Sequence, residues 1–148
     1  MQIYIIVLVH SGGIIIKKKR FMSQNTVKTI DNFIEVRFVG DQDYDGVKET
    51  GKQALAMAQE FISRDEWVRV LVDLSEQGKT SAGSRRASKE VYNFGTYDRL
   101  VIIGFNGFMK RFLNGVITAS RRQSSVRLEV SREKALEWLL KDPKELKI

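Results

Sequence analysis

Hydrophobic positions in this chain switch between a period of two and a period near 3.6, the marks of strands and helices respectively. Ile34, Val36 and Phe38 alternate with Glu35 and Arg37, which predicts a half-buried strand. Val27–Ile30 is its expected hairpin partner, with Asp31-Asn32 as the turn. Gly40-Asp-Gln-Asp43 is expected to break the strand and to supply capping oxygens for a helix. Val47, Gly51, Ala54, Leu55, Ala58, Phe61 and Ile62 then recur at helical spacing, predicting an amphipathic helix over about 44–63. Val68–Leu74 is a short, Val-rich apolar run, the pattern of a buried parallel strand.

Ser75–Gly83 reads as a polar loop with two glycines. A helix follows, with Ala87, Val91, Tyr92 and Phe94 on one side and Gly95 as its stop. Leu100–Phe105 is a second buried strand, and Asn106-Gly107 turns the chain. Phe108, Met109, Phe112, Leu113, Val116 and Ile117 form a helical stripe that ends near Arg121. Val126, Leu128 and Val130 alternate as a short strand. Ser131 caps a last helix whose core face is Ala135, Leu136, Leu139 and Leu140, and Asp142-Pro143 ends it. Strands and helices alternating through short connections predict an α/β fold with a mostly parallel sheet.

Residues 1–21 do not share this rhythm. Gln2, His10, Ser11, Gly12 and Gly13 interrupt the apolar stretch, and Lys17, Lys18, Lys19 and Arg20 follow it. A secretory signal has its bases before the apolar stretch, and a bilayer span needs roughly 20 apolar residues, so neither is expected. Two readings stand: a β-hairpin turning at His10–Gly13, or an extension outside the working domain, with Met22 as a natural start. The second is preferred, and residues 22–148 are then a single domain. A tail that touches a membrane through its basic run ranks third.

Composition then removes chemistry. The 148 residues contain no Cys and one His, at position 10. Disulfides, thiolate nucleophiles, Ser-His catalysis and His- or Cys-ligated metals are therefore not expected, and no cofactor is implied. The net charge of +7 suggests an anionic partner, but four of those charges lie at 17–20. Residues 22–148 hold 21 bases and 18 acids, an ordinary surface. Nucleic-acid binding accordingly ranks below the other readings, because the basic pairs Arg85-Arg86, Lys110-Arg111 and Arg121-Arg122 read as scattered solvated charge. No nucleotide fingerprint is present.

From about residue 27 to 141 the chain resembles the SpoIIAA-like, STAS/Sec14-type branch of the STAS superfamily. Four stretches carry the resemblance: Val70-Leu-Val-Asp-Leu-Ser75, Thr80-Ser-Ala-Gly83, Tyr97-Asp-Arg-Leu-Val-Ile-Ile-Gly-Phe105, and Val126-Arg-Leu-Glu-Val130 followed by Glu133-Lys-Ala-Leu-Glu-Trp-Leu139. The resemblance implies a mixed, mostly parallel sheet of four to five strands flanked by about four helices, and no catalytic centre. It implies a cytoplasmic regulatory or protein-interaction module like the anti-sigma-factor antagonists, and leaves a homodimer open. In that group a Ser early in the helix after the "DLS" strand is phosphorylated. Here that position is Ala82, with Ser81 and Ser84 as neighbours. The Sec14-like side implies a second use, a pocket between helix and sheet for a lipid or other apolar molecule.

The candidate residues follow. Asp73 and Ser75 end a buried parallel strand, where ligands of open α/β sheets bind; local turn-shaping is the plainer role and is preferred. Thr80, Ser81, Ser84, Arg85 and Arg86 open a helix and are candidates for a phosphate or an acidic partner. Asn106 and Lys110 lie at the next turn. Phe108, Met109, Phe112, Leu113 and Val116 are the candidates for an apolar ligand. The expected working face is 75–86 together with 105–111.

Overall fold

The computed structural model describes residues 2–10, 13–21, 24–92, 96–142 and 144. The chain order is β1 (Gln2–His10), β2 (Gly13–Phe21), β3 (Thr26–Ile30), β4 (Phe33–Gln42), α1 (Tyr44–Ser63), β5 (Arg69–Thr80), α2 (Ala82–Tyr92), β6 (Arg99–Ile103), α3 (Gly107–Ser120), β7 (Val126–Leu128) and α4 (Arg132–Leu139). The expected stop at Phe94-Gly95, the breaker Pro143 and the start at Met22 lie outside the described residues. β1 and β2 pair antiparallel as a two-stranded sheet of their own, with His10 opposite Gly13. The other strands form one sheet in the order β3-β4-β5-β6-β7, antiparallel at β3–β4 and parallel elsewhere.

Period-two patterning distributes this sheet between two cores. Ile34, Val36, Val70, Leu74, Leu100 and Ile102 face Ala58 and Phe61 of α1 and Met109 and Ile117 of α3. Phe33, Leu71, Val101 and Ile103 face the other way, against Ala135 and Leu139 of α4. Burying one such side chain contributes about 1.5–3 kcal/mol, so each face is anchored by several. α2 packs on α1, where a Cβ on Gly51 would lie 2.6 Å from Val91 Cγ2. Only glycine lets the two helices approach this closely.

Two departures from the expected elements have clear causes. β4 does not stop at Gly40. It continues to Gln42 through a bulge, with Gly40 at φ +75. The Val39 amide freed by the bulge donates to Asn25 Oδ1 at 2.9 Å, and Gln42 Nε2 donates to the Val39 and Gly40 carbonyls at 3.1 Å each. Asn25 Nδ2 completes the clasp by donating to Gln42 Oε1 and Thr50 Oγ1, both at 2.9 Å. The prolonged β4 then offers an edge to Ser75–Thr80, which is strand rather than loop: Glu76, Gln77 and Thr80 stand opposite Val39, Gly40 and Gln42. Glu35, expected on the solvent side of β4, is 2% exposed. Arg132 of α4 covers and pairs with it, and Lys28 Nζ lies 3.5 Å from its other oxygen.

Candidate functional site

β5 and β6 are parallel neighbours, so the chain leaves both strands on the same side of the sheet to enter α2 and α3. Gly104 makes the two exits touch. It has φ +76, and a Cβ there would lie 2.7 Å from Ser75 Cα. The segments 75–86 and 105–111 are thus brought together as expected.

Within this edge the candidates have different tasks. Asp73 is 6% exposed. Its Oδ1 accepts from the Ser75 amide at 2.9 Å and from the Ser75 hydroxyl, while Oδ2 lies 3.7 Å from Arg37. Its Oδ1 is occupied by Ser75, so it shapes the strand end. Ser81 Oγ accepts the Ser84 amide at 3.0 Å and caps α2. Ser84 donates its hydroxyl to the Ser81 carbonyl at 2.8 Å and is 1% exposed, whereas Ser81 is exposed. Of the two hydroxyls beside Ala82, only that of Ser81 is open to a modifying enzyme. Arg85 Nη1 donates back to the Thr80 carbonyl at 3.0 Å and hydroxyl at 3.2 Å. Asn106 Oδ1 accepts the Met109 amide at 2.8 Å and caps α3.

Cation–ring contacts join the two helices. The Arg85 guanidinium lies 5.6 Å from the Phe108 ring centre, and Lys89 Nζ lies 5.8 Å from that of Phe112. Phe108 is 59% exposed. α2 and α3 together carry Arg85, Arg86, Lys89, Lys110 and Arg111 against a single acid, Glu90. Glu90 is already engaged: Tyr44 Oη donates to it at 2.8 Å and Lys48 Nζ lies 3.2 Å away. Those two contacts hold the Glu90 carboxyl below its ordinary range, and the same hydrogen bond raises the Tyr44 phenol above 10.0. Arg86 belongs to the same cluster, 4.9 Å from the Tyr44 ring and acting on Glu90 through its charge. Arg85, Lys89, Lys110 and Arg111 form no ion pair with a carboxylate among the described residues. Arg85 and Lys89 of α2 thus lie against Phe108 and Phe112 of α3, while Arg86 turns toward Tyr44 of α1. Lys89 and Arg111 flank a shallow depression lined by Phe112, Val116 and Ala119.

The apolar candidates divide. Met109 is buried and Leu113 half-buried, and both line a cavity of about 150 Å³ between the sheet and α1, α2 and α3. Phe112 and Val116 line the surface depression instead, and Phe108 faces solvent.

One cluster was not expected from the sequence. Arg99 is 3% exposed, with its guanidinium 5.0 Å from the Trp67 ring and 5.7 Å from the Trp138 ring. Its Nη1 donates to the Trp138, Leu139 and Lys141 carbonyls at 3.1, 3.3 and 2.6 Å, satisfying the end of α4. Burial, then the neighbouring Arg69 charge, lower its pKa below the ordinary guanidinium range. Arg69 sits 5.8 Å over the outer Trp67 ring, and Arg127 5.2 Å from Trp138. The signal available in sequence was Trp67 two residues before Arg69 at the start of the predicted Val68–Leu74 strand.

Among the described residues, no group of three or more His, Cys, Asp or Glu is placed to hold a metal ion, and no helix is long and apolar enough to cross a membrane. No family model and no curated protein sequence matches the chain. Solved structures do. One is an uncharacterised protein of the DUF3478 family from Shewanella loihica PV-4, described as having a SpoIIAA-like fold. It is 13% identical, with a TM-score of 0.54 over 78% of this chain and 91% of that one. Another is the anti-sigma factor antagonist SpoIIAA in its unphosphorylated form, 10% identical, with a TM-score of 0.48 over 77% of this chain and 96% of that one. With its five-stranded, mostly parallel sheet and four helices, this chain has a SpoIIAA-like fold.

Proposed function

We propose that this protein is a non-catalytic, cytoplasmic regulatory module that binds a protein partner through the face built by the start of α2 and the first turns of α3. The observation that carries this reading is that Arg85, Lys89 and Arg111, none in an ion pair among the described residues, lie beside Phe108 and Phe112, with the Phe108 ring exposed. Unpaired charge of one sign steers an oppositely charged partner and rejects others. An exposed aromatic ring supplies the apolar anchor typical of interface hot spots. The partner chemistry that fits is an acidic protein surface carrying at least one apolar residue. The SpoIIAA-like fold agrees with this reading, since it offers a rigid scaffold on which adjacent strand ends present two helix starts.

Regulation at this face does not follow the phosphoserine pattern, because Ala82 occupies the position of the acceptor. Ser81 is the exposed hydroxyl at that turn, and a phosphate there would neutralise part of the basic face. The test is a pull-down from the native host with the wild-type chain and with a Ser81→Ala, Arg85→Ala, Arg86→Ala triple variant. A protein identified with the wild type and lost with the variant, at unchanged melting temperature, supports the reading. Equal recovery with both overturns it.

A further inference from the structure

The cavity between the sheet and the three helices is separate from the basic face. Its floor is made of stiff β-branched side chains, Val36, Val70, Val72 and Ile102, from three adjacent strands. Its roof is α1, and the Gly51–Val91 contact fixes how far α1 stands from α2. The space, of about 150 Å³, is a pocket partly open to solvent.

Among the described residues, no charged residue lines this space. Two of its polar side chains are already engaged. The Thr50 hydroxyl donates to the Gly46 carbonyl at 2.7 Å and accepts from Asn25, and the Ser88 hydroxyl donates to the Ser84 carbonyl at 3.0 Å. A water needs two to four polar partners to be held, and few are on offer. Gln77, Thr96 and Tyr97 are the other polar residues of its lining.

We infer that this cavity binds a small neutral apolar molecule, close in size to benzene or toluene, with at most one hydrogen-bonding group. A cavity of similar volume lined by apolar side chains takes up benzene. Ordinary ligand pockets are roughly 300–1,000 Å³, so the occupant here is smaller than a lipid. An anion is disfavoured because no cation lines the space to compensate its desolvation.

The experiment is a methyl-NMR titration of the full chain with toluene, 1-hexanol and hexanoate, repeated on Ala54→Leu, which fills the cavity, and on Phe108→Ala, which lies outside it. Toluene and hexanol are expected to give saturable shifts of the Met109 and Val70 methyls. Ala54→Leu should weaken both at least tenfold and Phe108→Ala should change neither. Should Ala54→Leu fail to fold, Leu113→Phe serves as the filling variant. Absence of saturable shifts up to the solubility of the probes overturns the inference. So do shifts that survive filling, or hexanoate binding as tightly as hexanol.

Discussion

Replacing Arg99 by Met keeps an unbranched side chain of similar length and deletes the charge that ends α4. In the native protein Nη1 reaches three carbonyls, at 2.6, 3.1 and 3.3 Å. Two good charge-assisted hydrogen bonds are worth about 1.5–3 kcal/mol each. Against them stands the cost of holding a cation at 3% exposure beside Arg69, the same cost that lowers its pKa. The expected net loss for Arg99→Met is about 3 kcal/mol, because the helix-end carbonyls stay buried without a donor. Urea unfolding followed by tryptophan emission is the natural assay, since Trp67 and Trp138, which flank Arg99, are the two tryptophans of the chain. With a slope near 2 kcal/mol per M, the urea midpoint should fall by about 1.5 M. Arg99→Lys, which keeps a charge but not the planar fork, should lie between. A loss below about 0.5 kcal/mol for Arg99→Met would refute the reasoning, for it would mean that desolvation cancels the hydrogen bonds.

Other consequences can be checked as directly. Glu90 should titrate below 4.5 by carboxyl NMR, and Tyr44→Phe should move it back toward that value. Its folded pKa is depressed, so the stability it contributes is present above 4.5 and is lost as pH falls through the folded value. The acid limb of stability should therefore flatten in Tyr44→Phe. Gly104→Ala places a Cβ against the Ser75 backbone at positive φ and should cost several kcal/mol by the same urea assay; a loss under 1 kcal/mol would show that the two strand exits are not in contact. Asn25→Ala removes the clasp on the β4 bulge and leaves the Val39 amide and Gln42 short of partners, a loss of about 2–3 kcal/mol in chemical denaturation.

Much of the scaffold was legible because local signals agreed with one another. Over α1, helical spacing coincides with the Asp43 cap, whose carboxylate accepts the Gly46 amide at 2.8 Å, and over α3 with the Asn106 cap. The Val-rich run at 69–74 has no competing period. What stayed hidden was set by distant parts of the chain. Ser-Glu-Gln-Gly-Lys-Thr has the composition of a loop and becomes strand only because the bulged end of β4, held by Asn25, offers it a partner. Glu35 is buried by Arg132, 97 residues away. At the basic face, the meeting of 75–86 with 105–111 followed from strand–helix alternation, but the absence of carboxylate partners required the positions of Glu90 and Lys48. The apolar stripe of α3 showed which residues are hydrophobic, not which share a cavity. Phe108 sits in the first turn and projects to solvent, while Met109 points inward.

The claim that α2 and α3 form the binding face is tested most directly by photo-crosslinking in the native host. A photoreactive phenylalanine analogue placed at Phe108 should give a discrete crosslinked partner, identified by mass spectrometry as an acidic protein. The adduct should disappear when Arg85, Lys89 and Lys110 are changed to Glu. The same analogue at Leu140, on the opposite side of the sheet, should give none. An adduct at Phe108 that survives the charge reversal, or the same partner captured from Leu140, would contradict the account.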